Sequence, residues 1–220
     1  MVPDVVPAEV TVTVTPASTV TFPTTVVAKV KVELAENHNR SEHIIKYGKE
    51  SPVMAHLIMH ELVHIQLMHE ARKVHENKLF ITSPENRKAF YTNSISTLES
   101  LSKEGLSDEE IAKFADSLFD GLLNQLYNAP IDLFIENYLY NKYPILRPIQ
   151  FLSLHKFVIE YIQIANNKSI IGYTPKFVRN ANLILCMTVA LQLNDLFAIE
   201  TINAIEHPDA YRVSSCQSFP

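Results

Sequence analysis

Apolar and polar residues change their period along the chain. Val10-Thr11-Val12-Thr13-Val14-Thr15 alternates as a strand does. Pro3, Pro7, Pro16 and Pro23 surround it and restrict it to an edge strand or an extended arm. A second alternation runs from Val26 to Leu34, with Val30, Val32 and Leu34 set against Lys29, Lys31 and Glu33. His43 to Tyr47 reads as a third short strand or a turn.

From Ser51 onward the spacing is helical. Ser51-Pro52 predicts the start of a helix that runs to about Val74. Ser83-Pro84 opens a second, which Gly105 closes. Ser107 and Glu110 form a capping-box pattern for a third, reaching about Asn128. Ala129-Pro130 predicts a break, with a fourth helix from there to Tyr143-Pro144. A fifth spans Ile149 to Ala165, a sixth runs from Thr174-Pro175 to Asn194, and a short last one covers Asp195 to Ile205. The fold class is therefore α+β, mostly helical, with a small N-terminal sheet. Residues 1–25 read as a Val/Thr/Pro-rich arm and 26–220 as one domain.

Composition narrows the function classes. With 220 residues, 47% hydrophobic and 20% charged, the chain suits one globular domain and not a disordered one. Nineteen basic against 24 acidic residues give a net charge of −5, which argues against a general nucleic-acid binder. Cys186 and Cys216 are too few for a disulfide framework. Within the helical part the longest uncharged run, Asn180 to Asn194, is too short to span a bilayer. Neither a basic stretch nor an apolar core follows Met1, so the expected location is the cytoplasm.

The chemistry lies in the first helix, at His60-Glu61-Leu62-Val63-His64. Histidines four apart share one helix face, so both can grip one metal ion. Neutral imidazoles suit Zn²⁺ with an open position for water. Glu61, next to the first ligand, can reach that water as a general base. Val53, Leu57, Ile58, Leu62, Ile65 and Leu67 make the helix apolar nearly all round, which predicts burial. Polar groups buried there need partners.

With this motif the chain resembles the zincin superfamily of metallopeptidases, most clearly over residues 26–75 and less specifically to about residue 150. The resemblance implies Zn²⁺ as cofactor, a peptide or protein as substrate, and a third metal ligand. His69 has the wrong spacing for the three-histidine branch, since Ile65-Gln66-Leu67-Met68 contains no glycine. The gluzincin-type branch takes an acid from a later helix, and Asp132 and Glu136, four apart among Ile131, Leu133, Phe134 and Ile135, fit that pattern. Either acid can be the ligand, with the other orienting a ligating histidine. The family's order favours Asp132 as ligand, whereas residue type and reach favour Glu136. The long gap after His64 departs from the shortest zincin spacings and implies an inserted hairpin of helices 83–104 and 107–128.

Secondary candidates surround this set. His56, one turn before His60, reads as a core or supporting residue. Arg147 reads first as a surface salt bridge and second as an anion-binding group. Tyr138, Tyr140, Tyr143 and His155 are candidates for transition-state hydrogen bonds. His38 and His43 share a loop without cysteine partners. A di-iron bundle needs a second E-x-x-H, which is absent. The alternative of a different class is a zincin-like helical module that binds or regulates a partner with weak or no hydrolysis.

Overall fold

The computed structural model describes residues 12–16, 30–48, 51–75 and 81–199. Three strands form one sheet in the order β1 (Val12–Pro16), β3 (His43–Tyr47), β2 (Val30–Glu33). β1 runs parallel to β3, and β2 runs antiparallel to it with Val32 opposite Ile45. Among the described residues the proline-flanked segment is thus an edge strand, in keeping with its composition. Ile45 of the central strand is fully buried. On the rim, Glu33 accepts from Lys46 Nζ at 2.6 Å and Arg40 Nη1 at 3.3 Å.

Among the described residues six α-helices follow: α1 (Met54–Lys73), α2 (Pro84–Lys103), α3 (Asp108–Lys142), α4 (Arg147–Ala165), α5 (Lys168–Tyr173) and α6 (Lys176–Phe197). The fold is α+β and mostly helical. None of the described helices is long and apolar enough to cross a membrane. Local chemistry accounts for most boundaries. Ser83 caps α2 by accepting from Asn86 N, with Pro84 in the first turn. Ser107 and Glu110 exchange both capping-box bonds at the start of α3. Gly105, at φ +94°, makes the left-handed turn between these two helices. Ser51 is not the cap of α1: its carbonyl accepts from Met54 N at 2.9 Å, closing a turn before a helix with no side-chain cap.

The expected break at Ala129-Pro130 does not occur. Pro130 lies inside one continuous helix of 35 residues. The proline withholds one N–H from the Leu126 carbonyl, but it does so on an exposed stretch, with Leu126 44% exposed, where solvent can stand in for the lost bond. The second arm of the expected hairpin therefore runs straight into the Asp132–Glu136 turn. α2 packs on this first half of α3 through Phe90 and Phe119, whose ring centroids are 5.2 Å apart. The short α5 was not anticipated, and α6 extends past Asn194 to Phe197. No separate helix begins at Asp195, because α6 continues through it and is capped at Ala198, whose φ is +55°; residues from 200 lie outside the described residues, as does the 26–29 part of the second strand.

α1 sits at the centre, against β2 and β3 on one side and α3 and α4 on others. It is less buried than its composition suggested: only His56, Val63 and Ile65 are fully enclosed. Val63 joins Ile135 and Leu139 of α3 in one cluster, with Met59, Leu67 and Tyr138 around it. A larger cluster ties α4 to α6 through Leu154, Val158, Leu183, Met187 and Leu193. Gln192 Nε2 donates to the Leu133 carbonyl at 2.7 Å and fixes α6 against the site turn of α3. The α1–α3 cluster sets the register of the two site helices. Ile135→Ala should therefore cost about 2–5 kcal/mol in urea denaturation, against about 0.5 kcal/mol or less for the surface change Ile145→Ala.

Candidate metal centre

His56, His60 and His64 stand one above another on α1 because their spacing is one turn. Asp132 and Glu136 face them from α3 by the same rule. Three atoms converge at the outer end. His64 Nε2 lies 3.0 Å from Asp132 Oδ1 and 3.1 Å from His60 Nε2. His60 Nε2 lies 3.3 Å from the same Asp132 oxygen. They form a near-equilateral triangle of two imidazole nitrogens and one carboxylate oxygen, and the Asp132 side chain is 41% exposed. Such a group of donor atoms can hold a metal ion.

Glu136 occupies a different place. It is 3% exposed and lies on the inner side of His60. Its Oε1 accepts from His60 Nδ1 at 2.8 Å. Its Oε2 accepts from His56 Nε2 at 2.9 Å and from Gln150 Nε2 at 2.6 Å. Gln150, fully buried on α4, also donates to the Glu136 backbone carbonyl at 2.8 Å. An isolated buried carboxylate costs several kcal/mol, and these three donors offset that. Both Glu136 oxygens are engaged, whereas Asp132 presents its oxygen to the converging nitrogens. In its neutral form, with Nδ1–H donating to Glu136, His60 would carry its lone pair on Nε2. His56, donating from Nε2, leaves a bare and buried Nδ1.

The electrostatics follow from burial and these bonds. Burial opposes the charged form of Glu136, but hydrogen bonds from His56 and His60 outweigh it and hold the pKa at about 2. Burial opposes the charge on His60 as well, yet bonds to Asp132 and Glu136 push its pKa up to about 10 in the metal-free protein. Asp132 is held below its ordinary value, against burial, by bonds from His60 and His64. Burial pushes Glu61 up, opposed by the charges of His60 and His64. Glu61 has no hydrogen-bond partner among the described residues and stays available for a further proton acceptor role.

The other candidates fall outside this set. Arg147 makes no salt bridge among the described residues: Nε donates to the Tyr140 carbonyl at 2.9 Å, and the guanidinium stacks on the Tyr140 ring at 4.1 Å. Tyr138 and Tyr143 pack around the α1–α3 apolar cluster. Tyr140 and His155 make ring contacts with Phe197 and Phe151. His43 Nδ1 accepts from Ala35 N at 3.1 Å, while His38 is exposed in a short 3-10 turn, so the loop pair does not converge. His69 leaves Nε2 buried without a partner. Sequence reading missed Gln150, whose only signal is a lone amide in an otherwise apolar stretch of α4. Comparison with protein-family models, curated proteins and solved structures finds no match to this chain.

The sign of the pH dependence is fixed for the metal-free protein. Glu136 is lowered from 4.5 to about 2, so its contribution is full above pH 4.5 and is lost as pH falls through about 2. His60 is raised from 6.5 to about 10, so its contribution is full below pH 6.5 and is lost as pH rises through about 10. Urea denaturation of metal-free protein should show a stability plateau with both limbs, and Glu136→Gln should flatten the acid limb. An unchanged acid slope in that variant would contradict the ionised state of Glu136.

Proposed function

We propose that this chain is a zinc-dependent peptidase of the zincin type. His60, His64 and Asp132 are the metal ligands in this reading, and Glu61 is the general base. The convergence of the three donor atoms carries it. Ligands about 2.0–2.1 Å from a tetrahedral zinc are about 3.3–3.4 Å from one another. The separations of 3.0, 3.1 and 3.3 Å are close to that edge length. Two imidazoles and one carboxylate are also a catalytic donor set, because three protein ligands leave a fourth position open.

Zinc bound there would lower the pKa of water toward neutrality and polarise the scissile carbonyl. The residues do the rest. Glu136 accepts a hydrogen bond from His60 Nδ1–H and so keeps Nε2 free for the metal; His56 and Gln150 hold Glu136 in place. Glu61, its pKa raised by burial, takes the proton of the attacking water and delivers it to the leaving amine. β2 is an edge strand, paired only with β3 among the described residues, and lies against α1. An extended peptide can add to that edge by backbone pairing.

Two variants test different parts of this reading. Glu61→Gln should keep zinc and lose hydrolysis of a peptide library by about 10²-fold or more, the scale of a lost general base. Full activity in that variant would refute the base assignment, and a zinc-loaded chain with no Glu61-dependent cleavage would move the reading to a binding module. Gln150→Leu, remote from the ligands, should weaken zinc binding about 10–100-fold in a competition titration with a chelator. An unchanged affinity would remove Gln150 from the support of the site.

A further inference from the structure

A second site lies away from the metal centre. The C-terminal half of α4, the short α5 and the first half of α6 line a cavity of about 270 Å³, with Leu118 of α3 also on its wall. Tyr161 on its wall is eleven residues beyond Gln150 on α4, about 16 Å along the helix. The volume is a little below the range of sites that take drug-sized ligands. It has room for about nine waters' worth of ligand, or about ten heavy atoms.

The walls have two characters. Ile162, Ile164, Ile170, Ile171 and Leu183 supply apolar surface. Lys176 and Arg179, three apart on the same side of α6, bring two positive charges to the same lining. Neither cation has an ion-pair partner among the described residues. Arg179 Nε and Asn182 Oδ1 are buried without hydrogen bonds. Buried polar atoms in folded proteins are almost always paired, so each of these calls for a partner. The amide of Asn182 can present its NH2 instead by a flip. Tyr161 Oη accepts from Gln125 Nε2 at 2.9 Å and keeps its own proton to give. Burial pushes the Cys186 thiol up to about 11, so it lines the cavity as a neutral group and not as a nucleophile.

From these residues we infer that the cavity binds a small monocarboxylate with an apolar tail. The tail lies among the isoleucines and Leu183. The carboxylate accepts from the Arg179 guanidinium, with Lys176 adding charge. A cation of the same shape is repelled by the same two residues, and a fully apolar molecule leaves the guanidinium unpaired.

Octanoate, with ten heavy atoms, is the probe. It is titrated calorimetrically into the full chain, with octylamine as the counterpart of opposite charge. Octanoate should bind in a one-to-one ratio and octylamine should not. Arg179→Gln should weaken octanoate at least tenfold, the loss expected for one charge-assisted hydrogen bond. Ile171→Phe, which fills the cavity from the apolar side, should weaken it as well and leaves the cations in place. His64→Ala should leave octanoate affinity unchanged, so failure of the metal reading and failure of this one are separable. Absence of octanoate binding, equal binding of octylamine, or affinities unmoved by both Arg179→Gln and Ile171→Phe would each overturn the inference.

Discussion

The carboxylate of Glu136 is the point on which the arrangement of α1, α3 and α4 depends. It is buried from water, and its charge survives there because three N–H donors from two other helices reach it. His56 and His60 come from α1 and Gln150 from α4. Losing any one donor leaves a buried charge less compensated, which is far more costly than losing a surface contact. The apolar cluster of Val63, Ile135 and Leu139 presses the helices together, but apolar contacts alone tolerate sliding. The polar contacts at Glu136 fix one register. In that register His60 and His64 meet Asp132 at the outer end, so a structural requirement inside the core sets the geometry of the candidate site outside it.

That division of labour explains why two acids one turn apart differ so much. Glu136 is enclosed, doubly engaged and held at a low pKa by its histidine partners. Asp132 stands at the edge with 41% of its side chain exposed and an oxygen shared between two imidazole nitrogens. Pro130 lies just before this turn, in the exposed part of α3 where a missing backbone bond is tolerated. The long helix thus carries both a scaffold segment, paired with α2 through Phe90 and Phe119, and the site segment.

Much of this was legible in the residues. The His60–His64 spacing is local and survives any packing, so one helix face of imidazoles could be read directly. The pairing of that face with Asp132 and Glu136 rested on a four-residue spacing of acids among apolar neighbours, which is also local. The roles of the two acids were not legible, because they depend on depth, and depth is a property of packing between helices distant in sequence. Gln150 was hidden for the same reason: a lone amide on a helix has no pattern to announce its partner, whereas His56, one turn before His60, reads as a supporting residue and is one. Pro130 misled because the cost of a helical proline depends on whether the freed carbonyl meets water, which the sequence does not state. The cavity between α4, α5 and α6 had no sequence signature at all, since α5 itself was not foreseen.

The proposed function stands on His60, His64 and Asp132 together holding one metal ion. The most direct test is elemental analysis of the purified full chain after exposure to zinc and removal of loosely bound metal. His64→Ala and Asp132→Ala are carried alongside, with circular dichroism to confirm that each is folded. About one zinc per chain is expected in the parent and none in either variant. A folded parent that retains no zinc, or variants that retain it as well as the parent does, would contradict it.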